Sequence, residues 1–176
     1  MYKMIFTAMG ALIGLGAFSQ PQLPPQPHPG PQPQLASHSQ PQDVVTLRKK
    51  QFNTPDGIGI KGYDPVAYFT GNKAVKGSKD QAAVYQGITY YFSSAANQAA
   101  FKKDPARYEP QYGGWCAYAM GKDGSKVEVD PGTFKIVDGK LFLFYNQFFT
   151  NTLKSWNKDE ANLHHQADDN WKKIYP

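Results

Sequence analysis

The sequence holds one cysteine, Cys116, in 176 residues. No disulfide can close within the chain, so the fold must rest on its core. Histidine is nearly as scarce, with only His28, His38, His164 and His165. A Ser/His/Asp or Cys/His catalytic device therefore has only the two late histidines to recruit from a folded region. After Phe18 no stretch is apolar and long enough to be a membrane helix. Charge of one sign is not concentrated either: 19 Lys and Arg stand against 14 Asp and Glu, a formal +5, and the basic pairs are interleaved with acids. With no zinc-finger or helix-turn-helix signature beside that charge, nucleic acid is not an expected partner. Gly57-Ile58-Gly59 lacks the rest of any nucleotide-binding fingerprint.

At the N-terminus, Lys3 is the only charge before an apolar stretch from Met4 to Phe18, and Ala17 and Ser19 are small. Residues 1–19 read as a secretory signal cleaved after Ser19, which makes the protein exported, periplasmic or secreted, with no membrane span once the signal is removed. Residues 20–43 are Pro and Gln with little else. That composition has no apolar mass to bury and favours extended polyproline geometry, so it reads as a spacer. Residues 44–176 are the globular domain, with an aromatic content of 14% to fill its core.

Within that domain, Val66-Ala67-Tyr68-Phe69-Thr70 reads as a short strand stopped by Gly71-Asn72. Ala83-Val84-Tyr85 and Ile88-Thr89-Tyr90-Tyr91-Phe92 flank Gln86-Gly87 as a hairpin, and Ser93 or Ser94 caps a helix that ends before Pro105. A second hairpin joins Phe134–Val137 to Lys140–Phe144 through Asp138-Gly139, a pair suited to positive backbone angles. After Asn146 the pattern turns helical, with Leu153, Trp156, Leu163, Ala167, Trp171 and Ile174 on one face. The expected class is α+β: small antiparallel β-hairpins packed with short helices and a C-terminal amphipathic helix.

Tyr85-Gln86-Gly87, Tyr90–Ser94, Asn97, Phe101, Asp104-Pro105 and Tyr108, with Asp64-Pro65-Val66 upstream, resemble the YHS domain family. The resemblance extends in the family's longer exported form through Pro110–Ala117, Asp130-Pro131, Gly139-Lys140-Leu141 and Trp171. It implies a scaffold related to small treble-clef-like modules. Metal-binding members carry Cys just after Asp-Pro-Val and two more around the helix start. The corresponding positions here are Ala67, Ser93 and Asn97, none of which supplies a thiolate, so the family's soft-metal site is chemically absent.

A different site is suggested by the residues that remain. Cys116 and Met120 are four apart, on one face of either a helix or a strand, and a thiol with a thioether suits Cu(I). His164 is the candidate third ligand, so Cys116, Met120 and His164 form the candidate copper site. Tyr112 and Trp115 wall a candidate small-ligand site around Gly113 and Gly114, where glycine lets a ligand approach the backbone. Three functions stand on these residues. One is a non-catalytic binding module for a soft metal or small ligand near Cys116. Another is an enzyme with Cys116 as nucleophile and His164 or His165 as base, oriented by Asp168 or Asp169. The last is a structural or interaction module in which Cys116 is buried and inert.

Overall fold

The computed structural model describes residues 41–176, so the expected signal over 1–19 and the expected spacer up to residue 40 lie outside the described residues. The first element among the described residues is helix α1 (Pro41–Gln51), which the Pro-rich composition upstream gave no reason to expect. Its Arg48 is 4% exposed, with its guanidinium on Glu109 and over the Phe52 ring at 4.3 Å. A cation buried on this scale is tolerated only with a paired carboxylate.

The first hairpin forms where turn chemistry placed it, as β1 (Ser78–Tyr85) and β2 (Ile88–Phe92) paired antiparallel around Gln86-Gly87. Gln86 and Gly87 both have positive φ, at 44° and 82°, as a tight two-residue turn requires. Ile88, Tyr90 and Phe92 of β2 face inward and are buried, the alternation that a half-covered sheet imposes. Helix α3 (Ala95–Lys103) follows, capped by Ser94, whose hydroxyl oxygen accepts from Asn97 N. Phe101 of α3 packs on Tyr90 and Phe92 at centroid distances of 4.9 and 5.1 Å.

Residues 66–70 differ from the sequence expectation. They form a short helix α2 (Ala67–Gly71), not a strand. A five-residue apolar run carries no periodicity that separates the two states. Here the Asp64 carboxylate decides, because its Oδ1 accepts from Val66 N and Ala67 N and so starts a helical turn.

After helix α4 (Pro105–Tyr108), residues 110–116 run alongside the second hairpin, formed by β3 (Asp130–Val137) and β4 (Lys140–Phe144). Pro110 and Cys116 make parallel bridges to Leu141 and Leu143 of β4. Helix α5 (Ala117–Asp123) starts at Cys116. The region after Asn146 is not uniformly helical. A miniature hairpin of β5 (Asn146–Gln147) and β6 (Thr150–Asn151) precedes α6 (Thr152–Trp156) and the long α7 (Glu160–Ile174). The Asn157–Asp159 segment breaks the helix, since Asp159 leaves helical geometry at φ −150° and ψ 46° where it precedes α7.

The described residues lie in one compact unit, His38–Pro176, which is α+β as expected. Its core has two clusters. One gathers Tyr68, Ile88, Tyr90, Phe92, Phe101, Cys116, Leu141 and Leu143, and the other Tyr112, Met120, Phe142, Phe144, Trp156 and Ala167. Alternate residues of β4 supply both, with Leu141 and Leu143 on one face and Phe142 and Phe144 on the other.

Candidate functional site

Asp64 is 0% exposed and carries the densest polar network among the described residues. Oδ1 accepts from Val66 N at 2.9 Å and Ala67 N at 3.3 Å. Oδ2 accepts from Ser93 N at 2.8 Å, Ser93 Oγ at 2.6 Å and Asn97 Nδ2 at 2.7 Å. A carboxylate has about four lone-pair directions, so these donors leave no acceptor site for a cation. The cluster ties the start of α2 to the junction of β2 and α3.

Cys116 is also 0% exposed. Its Sγ accepts from Tyr145 N at 3.4 Å and lies 3.4 Å from Thr152 Oγ1. The Thr152 hydroxyl donates to Tyr145 O at 3.0 Å, so its one proton is committed and the thiol proton is the one that points to Thr152 Oγ1. The sulfur thus has one donor and one acceptor fixed around it. Cys116 is among the residues lining a cavity of about 210 Å³, together with Tyr118, Ala119, Val127, Tyr145 and Thr152. Lys122, Asp123 and Ser125 make a polar rim. The Ser125 hydroxyl, then its amide, holds the Asp123 carboxyl below its ordinary range, so the rim carries both charge signs at neutral pH.

A larger cavity of about 390 Å³ lies beside Tyr91, with Lys61, Lys76 and Lys79 in its lining. Two of its ammonium groups are already spent. Lys61 Nζ pairs with Glu128 Oε2 at 2.9 Å and donates to Val129 O, while Lys76 Nζ donates to Lys61 O at 2.7 Å.

The other sequence-derived candidates are distributed elsewhere. Met120 follows Cys116 by one helical turn, and its N–H donates to Cys116 O at 3.0 Å. The two side chains nonetheless enter different core clusters. Cys116 precedes the helix with ψ 116°, so its Cβ leaves the row that Met120 occupies. His164 packs edge-on against Phe142 at 5.1 Å and near Trp156 at 6.1 Å, with Asp168 Oδ2 at 3.8 Å from its Nε2. His165 is exposed and faces Asp169 at 3.4 Å. Neither histidine belongs to the lining of the Cys116 cavity.

Tyr112, Gly113 and Gly114 are consecutive residues with positive φ, at 55°, 60° and 85°. The close approach that Gly113 permits is to this chain's own rings: a Cβ there would lie 2.8 Å from Trp171 and 2.9 Å from Phe52. Gly113 O and Gly114 O accept from Asn53, Tyr112 Oη donates to Asp168 Oδ1, and Trp115 Nε1 donates to Gln51 O. The polar groups of this segment are therefore occupied within the chain.

Residues 66–112 match the family model for the YHS domain. This chain carries a YHS domain. No curated protein and no solved structure matches it. The matched segment contains all four residues that donate to the Asp64 carboxylate, and three of them, Ala67, Ser93 and Asn97, stand at the positions where the metal-binding members that the sequence resembles carry Cys. In this YHS domain those positions are joined by hydrogen bonds to a carboxylate. Among the described residues no group of three His, Cys, Asp or Glu side chains is arranged to hold a metal ion.

Sequence reasoning missed Asp64 as the organising residue, although Asp before Pro signals a side chain that bonds its own backbone two residues on. It also missed Tyr145 and Thr152. Only the fold, which carries α6 back to the start of α5, brings them to the thiol.

Proposed function

We propose that this protein is an exported, non-catalytic YHS binding module that takes a small ligand with an apolar body and a soft end into the cavity above Cys116. The observation that carries the reading is the cavity itself, with apolar walls, a two-signed rim and, in its lining, Cys116, whose sulfur is held by Tyr145 N–H and Thr152 Oγ1. Its volume of about 210 Å³ suits a ligand of one small ring, since an engineered apolar cavity of about 150 Å³ in another protein holds benzene. The non-catalytic part rests on the lining, which brings no imidazole to the thiol. The export part rests on Lys3, the apolar run Met4–Phe18 and the small residues Ala17 and Ser19.

The test is the rate at which a thiol reagent labels Cys116 in the reduced chain from Gln20, with and without a panel of small aromatic thioethers and thiols. Labelling of the native protein is expected to be slower than that of the urea-unfolded chain by at least about tenfold, because the sulfur is covered. A cavity ligand slows it further and raises the melting temperature of the wild type more than that of Cys116→Ser. Ligands that leave both quantities unchanged would overturn the reading. Stoichiometric Cu(I) uptake seen by native mass spectrometry and lost in Cys116→Ser would assign the sulfur to a metal instead, with Met120 and His164 as the remaining ligands to test.

A further inference from the structure

The β5–β6 hairpin turns through Phe148 and Phe149. Both residues have positive φ, at 49° and 63°. Two-residue hairpin turns of this hand take Asn-Gly or Asp-Gly, because a side chain in the left-handed region crowds its own backbone. Phe is among the least suited residues for these positions. The side chains gain nothing from the fold in return: Phe148 is 84% exposed and Phe149 is 113% exposed, more than in an open reference chain. Folding thus holds two adjacent phenyl rings in water at the convex end of a narrow ribbon, on a backbone that resists them.

The ribbon itself is anchored. Asn146 Nδ2 donates to Thr133 Oγ1 at 2.9 Å, and Thr152 N donates to Tyr145 O at 3.0 Å. Its flanks, Asn146, Gln147, Thr150 and Asn151, are polar and uncharged. No Asp or Glu occurs from Leu141 to Lys158, while Lys154 and Lys158 are exposed just beyond the hairpin.

We propose that the Phe148–Phe149 turn is a membrane-inserting tip, which seats its two rings in the headgroup–acyl boundary of a bilayer bearing anionic lipids. A protruding pair of aromatic rings presents little area to a second protein surface, whereas a soft interface closes around it. Phenyl rings with lysines behind them are the pattern that interfacial insertion and anionic headgroups select. This inference is independent of any ligand at Cys116.

The test uses the chain from Gln20, which keeps the whole unit His38–Pro176 and omits the apolar run Met4–Phe18, which would itself bind lipid. Sedimentation is compared with phosphatidylcholine vesicles and with vesicles containing about 30% phosphatidylglycerol. The wild type is expected to bind the anionic vesicles, and Phe148→Ser with Phe149→Ser to lower the partition coefficient at least about tenfold. A second variant, Phe148→Asn with Phe149→Gly, gives the turn residues its backbone favours. It is expected to lose binding equally while melting at or above the wild-type temperature, which separates lost insertion from lost folding. Binding by both variants at the wild-type level, or no wild-type binding to either vesicle, overturns the proposal. Equal binding to both vesicle types overturns the anionic choice. A dimer in sedimentation equilibrium that disappears in the Asn-Gly variant, without vesicle binding by the wild type, assigns the tip to a second copy and also overturns it.

Discussion

At Asp64, one buried side chain does the work of a covalent or metal tie. Its oxygens take donors from Val66, Ala67, Ser93 and Asn97, and each of those donors would be left unpaired without it. Asp64→Asn keeps the shape but turns an NH₂ toward other N–H or O–H groups, whichever way the amide is flipped. We expect a loss of about 2–3 kcal/mol, the cost of removing charge-assisted bonds and stranding buried donors, read as a lower urea midpoint. Ser93→Ala removes one donor and leaves the carboxylate with the rest, so its loss should be about 1 kcal/mol. An Asn variant as stable as the wild type would refute the hub. At this scale the sequence was half legible. The absence of thiolates at Ala67, Ser93 and Asn97 could be read directly, but not the carboxylate that joins all three, because Ser93 and Asn97 reach Asp64 across 29 and 33 residues.

Between elements, α5 lies close against α7. A Cβ on Gly121 would stand 2.4 Å from Leu163 O and 3.1 Å from Leu163 Cα. Helix propensity alone predicts that Gly121→Ala stabilises by about 1 kcal/mol. Packing predicts the opposite, because the obstructing atoms are backbone and cannot step aside as a side chain would. We expect packing to win, with a net loss of about 2–3 kcal/mol at unchanged m-value in urea unfolding. A more stable Ala variant would show that the two helices separate at little cost. The elements themselves were readable to different degrees. Gln86-Gly87 and Asp138-Gly139 announce their hairpins because two-residue turns demand particular backbone angles. The α7 face was visible in its spacing. The Ala67–Gly71 helix was misread as a strand because its deciding contact is a side-chain cap, and the β5–β6 ribbon was read as helix because Phe-Phe is no turn signal.

Across the whole molecule, three phenols sit in the interior on acceptors: Tyr68 on Pro131 O, Tyr90 on Glu109 and Tyr112 on Asp168. Burial, aided by neighbouring acidic groups, raises all three above the ordinary tyrosine value of 10.0. A group whose value is raised in the folded state contributes stability that is full below its unfolded value and is lost as pH rises toward the folded one. The stability these three groups contribute should therefore be lost above pH 10. In an alkaline titration we expect these three phenols to resist ionisation while the chain stays folded. The last phenolate absorbance should appear together with the loss of near-ultraviolet circular dichroism. Smooth titration of all described tyrosines in a still-folded chain would contradict the placement of these three rings. The aromatic content pointed to such a core, but not to its division between the two faces of β4.

The carboxylate of Asp64, which ties together residues of the YHS segment, also bears on where the fold can operate. A module closed by thiolates needs its ion delivered and its sulfurs kept reduced before it is complete. One closed by Asp64, Ser93 and Asn97 uses only groups that oxidants and chelators leave alone, so for this part of the fold maturation ends when the chain does.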